Sequence, residues 1–114
     1  YDKVFIKKAI QLIEENIGNP DLDGKTLEDI FCMSKSTLYR KIKTETNLST
    51  SSFIRSIKLK KAAEMILTTN ENLSSIAKKA GFNDTKYFRE SFKKQFNTLP
   101  SNYRKQFKND KEDS

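Results

Sequence analysis

Apolar and polar residues follow one another along this chain with the spacing of helices rather than strands. The clearest stretch lies near the C-terminal end, where Phe88, Phe92 and Phe96 recur every four residues and so line one face of a helix. The positions between them include basic and hydroxyl side chains that project elsewhere. This pattern predicts a helix whose apolar back packs on a core and whose front is rich in hydrogen-bond donors. Phe82 is expected to join the same core.

A second helix is predicted immediately before this one, with a tight turn between the two. Gly81 can adopt the left-handed backbone that closes a helix without the steric cost of a Cβ atom. Asn83 then suits the N-cap of the next helix, and Asp84 suits its positive end. Helix, turn and amphipathic helix in this order are typical of a helix-turn-helix unit, although an ordinary helical hairpin has the same pattern.

The same layout occurs about fifty residues earlier in the chain. Asp23 or Thr26 can cap a short helix that carries apolar residues including Ile30, and Ser34 can cap a longer helix over 35–46. Positions before the turn correspond at an offset of 49 residues and positions after it at an offset of 50, so one residue is inserted in the second turn. Repetition of this kind predicts two copies of one helical unit.

The remaining stretches predict single helices. Residues 3–17 carry a helical apolar stripe, 51–68 contain neither Pro nor Gly, and Ser101 can cap a last helix. We therefore predict an all-α fold of about seven helices, with two helix-turn-helix units joined by a long central helix. Its parts are a domain over 1–107, with a first helix-turn-helix at about 23–46, a linker helix at about 51–68 and a second helix-turn-helix at about 73–96, and a charged, disordered tail over 108–114.

The distribution of charge says more than its total. In 114 residues, 22 Lys and Arg against 15 Asp and Glu give a net charge of +7. The first 29 residues carry a net −3, whereas residues 30–109 carry a net +12. Because the basic segment holds both helix-turn-helix patterns, a nucleic-acid partner is favoured over a generally charged surface. Lys58, Lys60 and Lys61 on the long helix either contact phosphate or form a solvated face, and we favour the solvated face.

Several kinds of chemistry are disfavoured by the residues that are missing. The chain has no histidine, one cysteine and no glycine-rich phosphate loop, so we expect no enzyme activity, no metal, no cofactor and no small-molecule site. Cys32 is expected to be a small buried hydrophobe rather than a redox sensor. No apolar run approaches the roughly 20 residues of a membrane span, so no membrane contact is expected. The start at Tyr1 and the lack of a signal peptide suggest a domain from a longer protein.

A set of short motifs along the chain also carries a resemblance to a known family. The motifs are 33–41, 57–62, Ile76-Ala77, Gly81-Phe82, Asp84, Tyr87-Phe88, Phe92-Lys93, Phe96, Pro100-Ser101 and Tyr103-Arg104. Their spacing resembles the DNA-binding domain of AraC/XylS-type transcription regulators. The resemblance implies an all-helical bacterial domain that places one recognition helix of each unit in successive major grooves of double-stranded DNA. It further implies a cytoplasmic output domain of a response regulator or hybrid two-component sensor–regulator, whose full-length form dimerises through upstream regions.

The chain departs from that family at the first turn and after each recognition helix. Glu28 and Cys32 stand where the family usually has Ala and Gly, Asn47 and Asn97 replace glycines, and Thr50 stands where Pro is common. A non-glycine residue held left-handed costs roughly 1–2 kcal/mol, and a buried unpaired carboxylate costs more. We therefore expect the first unit to be the less stable of the two.

The resemblance and the helical register together assign the residues that meet DNA. Arginine suits a bidentate contact with guanine, and Glu90 could accept from cytosine N4. Tyr87 is ambiguous between a phosphate contact and packing at the rim. Two alternatives stay open: an RNA-binding domain, although exposed aromatic platforms are lacking, and a protein-interaction domain. The expected base-contacting residues are Ser36, Tyr39, Arg40, Thr85, Lys86 and Arg89, and the expected phosphate-contacting residues are Lys35, Thr37, Lys43, Tyr87 and Lys93.

Overall fold

The structure, a computed structural model, describes residues 3–108. Within that range it contains seven α-helices and no strand, which confirms the all-α prediction. None of the helices between residues 3 and 108 is both long and apolar enough to cross a lipid bilayer. The helices are α1 (Lys3–Glu15), α2 (Gly24–Phe31), α3 (Lys35–Thr46), α4 (Thr50–Thr68), α5 (Leu73–Lys79), α6 (Thr85–Phe96) and α7 (Pro100–Tyr103), and a π-helical turn (Arg104–Lys108) follows α7.

Polar side chains cap the N-termini of five consecutive helices, α2 to α6. Each accepts a hydrogen bond from a backbone N–H that would otherwise lack a partner. Of the two candidates for α2, the cap is Asp23, whose carboxylate accepts from Thr26 N (3.1 Å). Ser34 caps α3, as the sequence predicts. The full set of caps is Asp23, Ser34, Ser49, Asn72 and Asp84.

Two of the predicted caps are wrong. The cap of α6 is Asp84 rather than Asn83: Asp84 Oδ1 accepts from Lys86 N (2.9 Å), and Asn83 is the extra residue in the turn. Ser101 does not cap α7, because Pro100 occupies the first helical position and Leu99 is the N-cap without a side-chain hydrogen bond. Proline suits that position since its missing N–H would have no partner there.

Buried side chains form two separate clusters, and α4 contributes to both. The N-lobe (3–57) packs α1, α2 and α3 on the N-terminal half of α4, and the C-lobe (59–108) packs α5 and α6 on its C-terminal half. The Cα radius of gyration is 15.2 Å, above the roughly 13 Å of a compact 100-residue domain, and the longest dimension is 47 Å. One continuous helix therefore joins two lobes in an elongated molecule.

The two lobes are packed with different kinds of side chain. In the C-lobe, Phe82, Phe88 and Phe92 are buried with neighbouring ring centroids 5.2 and 5.8 Å apart, which confirms that they belong to the core. In the N-lobe the buried residues are mainly aliphatic. There Ile30, an apolar residue of α2, is 49% exposed and does not belong to the core. Leu27 and Phe31, one turn apart on α2, face the core instead.

Lys58 lies at the junction of the lobes and is only 7% exposed. The favoured solvated position is therefore wrong for this residue, although Lys60 is exposed. Lys58 Nζ donates to the backbone oxygen of Gly81 (3.4 Å), which links α4 to the turn between α5 and α6. Burial lowers the pKa of Lys58, and the negative charge of Asp23 opposes that effect.

Gly81 also packs closely against the N-lobe. Its φ is +90°, and a Cβ atom there would lie 2.4 Å from the backbone oxygen of Ile17, in the turn that follows α1. Backbone cannot yield as a flexible side chain can, so this position requires glycine for space as well as for conformation. The turn of the C-lobe is thereby held against the N-lobe.

Arg104 closes the C-lobe by capping the end of α4. Its guanidinium donates to the backbone oxygens of Ile66 (3.1 Å) in the last turn of α4, of Thr69 (3.2 Å) at its C-cap and of Glu71 (2.7 Å) just beyond. Lys108 donates to the same Thr69 oxygen. The predicted disordered tail therefore begins too early, since Lys108 is part of the C-lobe; the rest of that tail, 109–114, lies outside the described residues.

Candidate nucleic-acid interface

The first candidate recognition surface is the outer side of α3. Leu38 and Ile42 are buried in the N-lobe core and so fix the rotation of the helix about its axis. The opposite side faces solvent, and the ring of Tyr39 is 43% exposed. Five of the predicted DNA contacts lie there, all of them exposed: Lys35, Ser36, Tyr39, Arg40 and Lys43.

Thr37, a predicted phosphate contact, is half-buried in the cap of α3. Its backbone N–H donates to Ser34 Oγ (3.2 Å), and that hydroxyl donates to Thr37 Oγ1 (2.9 Å). Arg40 Nη2 donates to the same Oγ1 (3.5 Å). Thr37 thus holds Arg40 near the N-terminal end of the helix. Lys43 is held at the other end, where its Nζ donates to the backbone oxygen of Asn47 (3.2 Å) and keeps further N–H donors.

The second candidate surface is the outer side of α6, which has the same 12-residue length as α3. Phe88 and Phe92 are buried on the inner side. Asp84 accepts from the backbone N–H groups of the first turn, where the helix dipole favours negative charge. Of the predicted DNA contacts on this helix, Thr85 is half-buried, and Lys86, Tyr87, Arg89 and Lys93 are exposed.

The two turns close with equivalent backbone hydrogen bonds, donated by the N–H groups of Cys32 and Met33 in the first turn and of Gly81 and Phe82 in the second. Cys32 stands at the first turn with φ 53°, a left-handed conformation. Its side chain is exposed and its Sγ lies 3.8 Å from the backbone oxygen of Asp29, so the predicted burial is wrong. The left-handed backbone turns the Cβ atom away from the core. Glu28, one turn earlier, is half-buried rather than enclosed.

Three clefts lead from α3 to α6 across the start of α4. The first is lined by α2, α3 with Tyr39, and the first residues of α4. The second crosses the junction of the lobes, and the third runs beside α6 and includes Lys93. The first two clefts share Ser51, and the last two share Arg55 and Tyr87. The two candidate surfaces therefore belong to one continuous face of the molecule.

Arg55 stands between the two recognition helices, and sequence reasoning missed it. Its Nη1 donates to Tyr87 Oη (3.1 Å) on α6, and its Nη2 donates to Ser52 Oγ (3.1 Å) on its own helix. No local pattern pairs residues that are 32 positions apart. The one available signal was that Arg55 is the only charged residue over 50–57, on the half of α4 that leads out of the first unit.

Positive charge dominates this face. The carboxylates of Asp23 and Asp84 are engaged as helix caps, which leaves Glu28 and Glu90 as its other acids. Away from this face, just before α5, a hydrogen bond from Lys79 lowers the pKa of Glu71. The basic residues of the two recognition surfaces and of the clefts between them are Lys25, Lys35, Arg40, Lys43, Arg55, Lys58, Lys86, Arg89, Lys93 and Lys94.

Known proteins share this arrangement. A helix-turn-helix domain family matches residues 27–106. Histidine kinase P4 of Formosa agariphila is 37% identical over 106 residues, which are 93% of this chain and 8% of that protein. The C-terminal domain of AraT, a response regulator from Geobacillus stearothermophilus, has a TM-score of 0.81 at 30% identity, covering 89% of this chain and 84% of that domain.

A third neighbour is known as a DNA complex. The DNA-binding domain of AdpA, a global transcriptional factor solved with a target DNA, has a TM-score of 0.85 and covers 95% of this chain and 96% of that one. At 18% identity this likeness shows the fold. Neither alternative, an RNA-binding or a protein-interaction domain, has support among these relatives. The chain belongs to the AraC-type family of helix-turn-helix domains, which bind DNA in transcription regulators.

Proposed function

We propose that the domain reads double-stranded DNA by placing α3 and α6 in successive major grooves on one face of the duplex. The observation that carries this proposal is the repetition of one unit on one rigid support. Two 12-residue helices with buried backs and basic, exposed fronts stand on opposite halves of α4. Successive major grooves lie about 34 Å apart, a separation that fits within the 47 Å length of the domain.

The two fronts divide into readers and anchors. Arg40 and Arg89 are both exposed, on α3 and α6 respectively, and each is suited to a bidentate contact with guanine. Flanking basic and hydroxyl residues fix the register through phosphate contacts, which carry no sequence information directly. In this proposal the base readers are Ser36, Tyr39, Arg40, Thr85, Lys86 and Arg89, and the phosphate anchors are Lys35, Thr37, Lys43, Tyr87 and Lys93.

The proposal extends to the protein that carries this domain. The chain spans between 8% and 38% of the length of the curated relatives it matches, so it corresponds to one part of each. One of these is a histidine kinase, and a structural neighbour is part of a response regulator. Both support an output domain of a signalling protein. In this proposal the domain binds DNA in the bacterial cytoplasm and does not catalyse a reaction. Upstream regions would then supply dimerisation.

The test is selection of bound duplexes from a random library, followed by footprinting on the selected site. We expect two protected patches about one helical turn apart on one face of the duplex. The logarithm of affinity should fall linearly with the logarithm of salt concentration, with a slope of about −0.9 per neutralised phosphate. A hairpin RNA of equal length is the matched competitor. One protected patch, salt-insensitive binding or equal affinity for the hairpin would contradict two-groove docking.

A further inference from the structure

Arg55 and Tyr87 form a pair of donors that the fold leaves open to solvent. The Tyr87 hydroxyl accepts from Arg55 Nη1 (3.1 Å), so its own proton remains available. The Arg55 guanidinium has five N–H groups, and Nη2 donates a second of them to Ser52 Oγ. Between residues 3 and 108, no carboxylate forms an ion pair with Arg55. A half-buried arginine in this state offers unused charge-assisted hydrogen bonds.

The position of the pair matters as much as its chemistry. Arg55 and Tyr87 line both the cleft at the lobe junction and the cleft beside α6. The junction cleft continues through Ser51 into the cleft below Tyr39. The pair therefore lies on the face that carries both recognition helices, with Arg55 on the linker helix α4 and Tyr87 in the first turn of α6. If α3 and α6 entered successive major grooves of one duplex, the sugar–phosphate backbone between those grooves would pass this point.

Two acidic residues of the junction cleft do not cancel this attraction. Asp23 Oδ1 accepts from the N-terminus of α2, and Asp84 Oδ1 accepts from the N-terminus of α6. Each carboxylate is thus matched by the positive end of a helix. The ammonium of Lys58 lies behind them in the same cleft and adds a further positive charge.

We propose that Arg55 and Tyr87 together bind a DNA phosphate in the central part of the site, where the linker helix α4 meets α6. The guanidinium N–H groups and the phenolic O–H donate to the non-bridging oxygens, a pairing in which donors alone meet an anion. The proposal rests on the proposed two-groove docking and adds a contact from the linker helix. Because this phosphate contact is made by α4 and the first turn of α6 together, it also fixes the separation at which the two helices enter their grooves.

The decisive experiment is ethylation interference on the selected duplex with the 114-residue chain and its Arg55→Gln variant. With the parent chain, ethylating phosphates in the centre of the site should block binding. With Arg55→Gln that central interference should disappear while interference at both flanks remains. The salt slope should become shallower by about 0.9, because one phosphate is no longer neutralised. Base preference in the library should be unchanged, because phosphate contacts do not read sequence.

Lys60→Gln is the matched control for charge. It removes one positive charge from an exposed site on the same helix, five residues or about 140° around the axis from Arg55. Its salt slope and interference pattern should equal those of the parent. If Lys60→Gln and Arg55→Gln changed the slope equally, the effect would be one of net charge, and the central phosphate site would be overturned.

Tyr87→Phe keeps the proposal testable if Arg55→Gln fails to fold. The ring that packs near Phe82, at a centroid distance of 6.1 Å, is retained and only the hydroxyl is lost. We expect about tenfold weaker binding, as for loss of a hydrogen bond to a charged group, and weaker interference at the same central phosphates. Full central interference in both variants would reduce the pair to an intramolecular tie between α4 and α6. Loss of both flanking patches in the parent chain would instead refute the two-groove docking itself.

Discussion

The turns of the two helix-turn-helix units have the same hydrogen bonds and different surroundings. In the first, the N–H of Met33 donates to the oxygen of Glu28 (3.0 Å); in the second, that of Phe82 donates to Ala77 (2.9 Å). The offset of 49 residues between these pairs is the one predicted from sequence. The first turn carries an exposed Cys32, whereas the second is enclosed by the N-lobe. A turn of this kind therefore requires glycine only where another part of the chain packs against it.

The cores repeat this contrast. The C-lobe is closed by aromatic rings that continue from Phe92 to Tyr103 (5.3 Å between centroids) and on to Phe107 (4.9 Å). Arg104, from the same segment, caps α4. In the N-lobe, Phe5 and Phe31 form a tilted ring pair and Phe53 is also buried, whereas the other buried residues are aliphatic. The C-lobe thus has added polar and aromatic ties after its recognition helix, and we expect it to be the more rigid unit.

The largest expected effect is on the second turn. Gly81→Ala places a Cβ atom against the backbone oxygen of Ile17 and forces a left-handed conformation on alanine. The two costs together should reduce the free energy of unfolding by about 2–5 kcal/mol. Cys32→Ala is the matched control and should be nearly neutral, because residue 32 already has a left-handed backbone and its side chain is exposed. Urea denaturation measures both. Equal losses at the two turns would show that their surroundings do not differ in energy.

The next effect concerns the closing segment of the C-lobe. Arg104→Ala removes the donor shared by three backbone oxygens at and beyond the end of α4, of which that of Thr69 keeps Lys108, and should cost about 2–3 kcal/mol of stability. Lys105→Ala, one residue on and exposed, should change little. Thermal unfolding of the two variants gives the comparison. If Arg104→Ala were as stable as Lys105→Ala, the asymmetry between the lobes could not be attributed to this cap.

Substitutions on the exposed sides of α3 and α6 should have the same kind of effect on DNA binding. Arg40→Ala and Arg89→Ala should each weaken binding to the selected duplex by about 1–3 kcal/mol and relax base preference at one position. Lys43→Ala should weaken binding to all sequences equally, as a phosphate anchor does. Library selection repeated with each variant separates these outcomes. Unchanged preference in both arginine variants would mean that the base-reading sides of α3 and α6 have been assigned to the wrong faces.

The smallest effect is relief of the first turn. Cys32→Gly should raise the free energy of unfolding by about 1 kcal/mol or less, because the gain from removing a left-handed cysteine is partly offset by the flexibility of glycine in the unfolded chain. Glu28→Ala should add little, since the carboxylate is not enclosed. Hydrogen exchange on the free chain should show faster exchange over 38–43 than over 88–93. Greater protection over 38–43 would reverse the proposed order of stability.

Local patterns were sufficient to predict the repeated architecture. The bounds of α3, the cap Ser34 and the left-handed glycine of the second turn depend on residues within a few positions of one another. The inward face of α6 is likewise set by a four-residue period, which the burial of Phe88 and Phe92 matches.

What the patterns missed depends on distant parts of the chain. Lysine is usually exposed, but Lys58 is buried because Gly81, 23 residues away, packs on it. The tie between Arg55 and Tyr87 spans 32 residues, and the cap that Arg104 forms spans as many as 38. Cys32 was expected to be buried because cysteine usually is, but its left-handed backbone directs the side chain outward.

The order of the units has a consequence for how a binding site is laid out. A symmetric helix-turn-helix dimer reads a palindrome, which is unchanged when turned end to end. Here α2–α3 and α5–α6 follow one another on a single chain, and the residues on their exposed sides differ. A site read by both units therefore has distinct left and right ends, and the N-lobe, with α1, always lies at the same one. Inverting such a site within a promoter would move whatever precedes α1 to the other side, so the direction of the site carries information that its base composition does not.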